Sequence, residues 1–162
     1  MTLHERVQAE LTAAMKSGDA LRRDTLRMAV AALYNAEKAA RRPLSDEETV
    51  GILAREVKTR RESIEAYERA GREELAAKER AEVEIVGRFL PAALTEEELR
   101  TIVLDAIEES GATSARDMGR VMGIVAPRIR GRADGKAASA LVAQELARRD
   151  LAGHGSEAHP SR

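Results

Sequence analysis

Ser45-Asp46-Glu47-Glu48-Thr49-Val50-Gly51-Ile52-Leu53-Ala54-Arg55-Glu56-Val57-Lys58 opens a long helix. Ser45 and Glu48 stand three apart and form a capping box, each side chain meeting an orphan N–H of the first turn. From there Val50, Leu53, Val57, Ile64 and Tyr67 fall on a heptad grid, with Arg60 at its one polar point. Gly71 closes the helix, and a further element from Arg72 carries Leu75, Val83, Val86 and Leu90 before Pro91 stops it. Heptad helices joined by a short turn argue for antiparallel hairpin packing.

Upstream the same grammar recurs. Thr2 with Glu5 is a second capping box, and Gly18 ends the helix it starts. Asp19 caps a helix carrying Leu26, Ala29, Val30 and Leu33, which should stop near Arg42-Pro43 because the residue before proline is pushed out of the α region. Glu56/Arg60, Glu65/Arg69 and Glu74/Lys78 are expected to pair at i, i+4, each adding only about 0.2–0.5 kcal/mol.

Downstream, Thr95 with Glu98 caps a helix bearing Leu99, Ile102, Val103, Ala106 and Ile107, and Gly111 ends it. Ser114 caps the next, with Met118, Val121, Met122 and Val125, where Gly119 and Gly123 are expected to let a neighbouring helix approach. Pro127 should break or kink that helix. Ala138, Leu141, Val142 and Leu146 make the last. The expected fold is all-α: a long-helix hairpin domain over 1–90, a three-helix domain over 95–150, and a disordered tail over 151–162.

Composition agrees. Aromatic residues make up only 2% of the 162, so the core must be built from aliphatic side chains, which suits helix packing. Cysteine is absent, which excludes disulfides, thiolate nucleophiles and cysteine zinc sites. No segment has the roughly 18 apolar residues needed to cross a bilayer, and Met1–Glu5 lacks a signal pattern. A cytoplasmic protein is expected. The net charge of −1 hides an uneven distribution. Residues 1–90 are neutral, 91–111 carry −5 and 112–150 carry +4.

That positive charge peaks in Pro127-Arg128-Ile129-Arg130-Gly131-Arg132-Ala133-Asp134-Gly135-Lys136. Arg128, Arg130, Arg132 and Lys136 are the candidate phosphate contacts. Gly131 and Gly135 would supply backbone freedom at positive φ, and Asp134 would cap the following helix. The simpler alternative is a helix–helix turn with solvated arginines. Lys58, Arg60 and Arg61 form a second basic cluster, among Glu56, Glu62 and Glu65, that would either extend such a footprint or form a salt-bridged face.

Catalytic chemistry finds little support. His4 lies in a first helical turn and reads as a solvated or capping residue, while His154 and His159 fall in the expected tail. No metal motif or phosphate-cradling loop is present, so no catalytic residue, metal or cofactor is expected.

Two segments carry a resemblance. Arg55-Glu56-Val57-Lys58-Thr59-Arg60-Arg61-Glu62-Ser63-Ile64-Glu65-Ala66-Tyr67, with Ala70-Gly71-Arg72 and Phe89-Leu90-Pro91, is similar to the N-terminal signature of the small free-standing GatB/YqeY family. Asp117-Met118-Gly119-Arg120-Val121-Met122-Gly123, with Pro127 and Gly131-Arg132-Ala133-Asp134-Gly135, resembles its C-terminal signature. The resemblance runs from about Thr2 to Leu146 and departs at the polar extension after Leu151. It implies a two-part helical protein whose second part is akin to the tail of the glutamyl/aspartyl-tRNA amidotransferase B subunit, a tail associated with tRNA binding. Partners implied are tRNA and the aminoacyl-tRNA amidation machinery. The resemblance also carries the label of a carbon–nitrogen ligase with glutamine as amide donor. The enzyme's ATP-handling cradle and serine–lysine amidase machinery have no counterpart here, so no self-sufficient transferase is expected. The readings are an RNA-binding module, an accessory protein of tRNA amidation, or a protein–protein adaptor using the hairpin helices.

Overall fold

The computed structural model describes residues 1–155 and divides the chain into two compact units, Met1–Pro91 and the part beginning at Ala92. Among the described residues the regular elements are seven α-helices and one 3-10 turn, and there is no strand.

The first unit holds α1 (Leu3–Ser17), α2 (Ala20–Ala40), α3 (Asp46–Arg69) and α4 (Glu73–Gly87). Thr2 and Ser45 both form complete capping boxes, with Glu5 and Glu48, and the Asp19 carboxylate accepts the Arg22 N–H. Gly18 and Gly71 take left-handed conformations, at φ 75° and 70°, where the chain reverses between α1 and α2 and between α3 and α4. Arg41 does the same work after α2 at φ 55°. The α1–α2 and α3–α4 pairs pack as hairpins, and α2 also lies on α4. Val7, Leu26, Leu33, Leu53 and Val86 are fully enclosed in one core.

Arg60 departs from the expected basic cluster. It occupies the heptad grid of α3, faces α4, and retains only 6% of its exposure. Its Nη1 bonds the Glu82 carboxylate and lies 3.5 Å from Glu79 Oε2. Its Nη2 donates to Met28 Sδ on α2 at 3.7 Å. Burial, and the neighbouring Glu79, hold the Glu82 carboxyl above its ordinary pKa even with Arg60 beside it. The expected Glu56/Arg60 and Glu74/Lys78 pairs are replaced: Lys78 approaches Glu82 at 3.8 Å and Glu74 accepts from Arg72. The reason is burial, since a guanidinium between two helices takes the carboxylates that share its enclosure.

His4 also differs from its reading. It is buried, with Nδ1 2.9 Å from Glu37 Oε1 and Nε2 3.3 Å from the Gln8 amide. That hydrogen bond, with the Leu44 N–H, holds the Glu37 carboxyl below its ordinary pKa. The first turn of α1 packs on α2, and a histidine there meets a glutamate rather than water.

The second unit holds α5 (Glu96–Ser110), a 3-10 turn (Ala115–Asp117), α6 (Met118–Ile129) and α7 (Gly135–Gly155). Its core combines Val103, Ala106 and Ile107 of α5 with Val121, Val125 and Ile129 of α6 and Ala138, Val142 and Leu146 of α7. Thr95 caps α5 through the Glu98 N–H, and Gly111 ends it at φ 69°.

Three expectations are corrected here. Pro127 does not break α6, which continues through it to Ile129. It sits in the last turn, and the carbonyl it leaves without a donor, that of Gly123, is on an exposed face open to water. Among the described residues no helix approaches closely at Gly119 or Gly123: a Cβ built on either would meet nothing within 4 Å. The expected disordered tail begins too early, since α7 runs through Leu151 to Gly155. Leu151 and Ala152 are good helix formers and nothing before Gly153 breaks the helix. His159 and the rest of the expected tail from 156 lie outside the described residues.

Candidate nucleic-acid interface

The sequence of 127–136 distributes its basic residues over three local structures rather than one loop. Arg128 belongs to the last turn of α6, Arg130 and Arg132 to the turn between helices, and Lys136 to the first turn of α7. Ile129 anchors the segment by turning inward, with 3% exposure. Gly131 follows at φ 74°, the left-handed conformation a glycine adopts without strain. The N–H groups of Arg132 and Ala133 both bond the Ile129 carbonyl, at 2.8 and 3.0 Å, and close the helix end. Asp134 then caps α7: its carboxylate accepts the Lys136 N–H at 3.2 Å, and its carbonyl accepts that of Ala138. Gly135 does not supply a positive φ. It is the first residue of α7, and a Cβ there would meet nothing.

The four candidate cations are not equivalent. Arg128 donates to Glu109 on α5 at 2.7 Å, which raises the guanidinium pKa further above its ordinary value. Arg132 is half-buried, and its Nε donates to the Ala92 carbonyl at 3.3 Å. Its own carbonyl accepts the Leu94 N–H at 2.8 Å, so Arg132 straps the entry of α5 to the turn. Arg130 and Lys136 are exposed, and neither has an ion-pair partner among the described residues. A surface cation without a carboxylate gives up only water when it meets a phosphate.

The acidic stretch 91–111 supplies the signal that singles out Arg128. Charges of −5 and +4 in one small unit must meet somewhere, and they meet at Arg128–Glu109, whereas Arg100–Glu145, at 3.4 Å, joins the acidic stretch's one cation to a carboxylate of the basic stretch. Sequence reading did not find Arg116. It is exposed at the head of α6 with no ion-pair partner among the described residues, beside Asp117, whose carboxylate accepts the Thr113 N–H and an Arg120 bond. In the first unit Lys58 and Arg61 are exposed and likewise have no ion-pair partner among the described residues, whereas Arg60 is enclosed.

Residues 4–146 match the family described as Yqey-like protein. The chain belongs to the YqeY-like family. A YqeY-like relative from Pyrenophora tritici-repentis (strain Pt-1C-BFP), named altered inheritance of mitochondria protein 41, mitochondrial, is 34% identical over 132 residues. The alignment covers 79% of this chain and 71% of the fungal protein. The family match takes in both units, including the α6–α7 turn and all but the end of α7. No helix among the described residues is long and apolar enough to cross a membrane.

Proposed function

We propose that the second unit binds RNA by its phosphate backbone, with tRNA the RNA that kinship to the amidotransferase tail favours. The observation that carries the reading is the exposure of Arg130 and Lys136 without carboxylate partners, on either side of a fixed turn at the N-terminus of α7. That helix end adds the positive pole of its dipole to the two cations. Arg128 is a reserve contact, available when a phosphate displaces Glu109. Contacts of this kind fix position on the backbone and carry no base sequence. The working compartment is an aqueous one that contains tRNA, the cytoplasm in our reading, and the fungal relative bears the word mitochondrial in its name. Within tRNA-dependent amidation such a unit would act as an accessory alongside catalytic subunits.

Fluorescence anisotropy with labelled tRNA tests this. Two phosphates neutralised give a slope of log affinity against log salt of about −2, hence roughly tenfold weakening from 50 to 200 mM salt. Arg130→Ala with Lys136→Ala should remove most of that slope, while Lys58→Ala with Arg61→Ala should leave it. A parent chain with no affinity at low salt, or a double variant that binds as well as the parent, defeats the RNA reading and favours the adaptor.

A further inference from the structure

The first unit carries a groove of about 370 Å³ that is open to solvent. Its apolar walls are Leu3 of α1, Val50 of α3, and Phe89, Leu90 and Pro91 after α4. This lining is held in place by backbone bonds. The Phe89 N–H bonds the Val86 carbonyl and the Leu90 N–H that of Gly87, both at 3.1 Å, so the segment is a tightened continuation of α4. The Leu3 N–H donates to Asp46 Oδ1 at 2.9 Å and ties the start of α1 to the first turn of α3.

Two guanidinium groups, Arg6 and Arg88, border the same groove. Both are exposed, and neither has an ion-pair partner among the described residues. The single carboxylate in the lining, Asp46, is engaged by the Leu3 amide and pairs with neither. Among the described residues, this fixed apolar surface therefore has no apolar filler, and its two guanidinium forks have no paired carboxylate.

We propose that this groove docks a short acidic peptide segment of a partner protein, with a large aliphatic or aromatic side chain on the apolar wall and neighbouring Asp or Glu side chains on Arg6 and Arg88. Charge complementarity selects an anionic segment, because arginine pairs with carboxylate in a two-bond fork. The apolar lining selects a peptide over an RNA backbone, whose phosphates and riboses would leave the part-exposed Val50, Phe89 and Leu90 uncovered. The open shape selects a chain segment over a small molecule, which needs a pocket enclosing most of its surface. The site is built from first-unit residues alone and does not depend on the RNA reading.

The test is panning of the full chain against phage-displayed random short peptides, followed by anisotropy with the enriched peptides synthesised with a label. Enriched peptides should place Asp or Glu beside Leu, Ile or Phe. Arg6→Glu with Arg88→Glu should weaken them roughly tenfold or more, the scale of one lost charged fork. Arg6→Gln with Arg88→Gln, which introduces no new charge, should weaken them in the same direction. Arg61→Glu, an exposed change outside the groove, should leave binding unchanged, and changing the peptide's apolar residue to Ser should abolish it. Failure to enrich any peptide overturns the proposal. So does equal binding by the groove variants, or an equal loss in Arg61→Glu. Loss of labelled-tRNA binding in the groove variants, with no peptide enriched, would assign the arginines to RNA instead.

Discussion

Arg60 on α3 and Arg130 after α6 each sit beside other cations in the sequence and end in opposite environments. Arg60 lies between α3 and α4, its guanidinium shared between Glu82 and Glu79 and backed by Met28. Arg130 is exposed at a helix end and has no ion-pair partner among the described residues. The first is held by the fold; the second faces solvent. Having cationic neighbours does not separate them. What does is whether the position faces another helix.

The largest effect expected from this contrast is on stability. Arg60→Ala leaves Glu82 buried with only the more distant Lys78, at 3.8 Å, and should cost about 3 kcal/mol in urea unfolding, as breaking a buried pair from one side does. Arg130→Ala should stay within about 0.5 kcal/mol, as exposed changes do. Converting both partners, Arg60→Met with Glu82→Leu, should recover most of the loss, because a buried pair replaced by apolar side chains is often neutral. Comparable stabilities for the two alanine variants would erase the distinction.

The cap of α7 comes next. Asp134→Ala should cost about 1 kcal/mol, measured in the same unfolding experiment. It should also raise hydrogen exchange at the Lys136 amide, which the carboxylate now accepts.

Glu109→Gln sharpens the comparison within the basic turn itself. It removes the carboxylate that holds Arg128, so tRNA affinity should rise and the salt slope should steepen by about one unit. An unchanged slope would mean that Arg128 faces away from any bound RNA.

The smallest effect belongs to an exposed pair. Arg42 forks Glu48 at 2.6 and 2.9 Å, and that hydrogen bond, with the Ser45 N–H, pulls the Glu48 pKa down from 4.5 to about 2. A carboxylate whose folded pKa is depressed adds stability above its unfolded value and loses it as pH falls through the folded one. The contribution should therefore be complete above pH 4.5 and fade toward pH 2. Arg42→Ala should flatten this segment of the stability–pH curve, and added salt should do the same, because the pair is exposed.

Much of the fold was legible in the chain. Capping boxes at Thr2 and Ser45, the Asp19 cap and glycines at 18, 71 and 111 mark helix ends where the structure has them. These signals are local, since a side chain reaches an amide three residues away whatever surrounds it. The misplaced ends share one cause. Pro127 and the chain after Leu151 were read by rules for helix interiors and polar tails, and near a helix terminus those rules weaken because few backbone bonds remain to lose. The basic turn was legible as a segment but not as a set of contacts. Arg128, Arg130 and Arg132 alternate identically in sequence, and only one of the three is left free.

The sequence by itself determined the helices, their caps, the left-handed glycines that reverse the chain, and membership of the YqeY-like family. Those follow from spacing and from interactions that span a few residues. Tertiary structure alone decided that His4 and Arg60 are enclosed, that Glu109 takes Arg128 and that the Ala92 carbonyl takes Arg132. It alone brought Arg6 and Arg88 to the edges of one groove from opposite ends of the first unit. The physical reason is range: a charge is free or taken according to what packing brings within about 4 Å of it, and that partner lies tens of residues away along the chain.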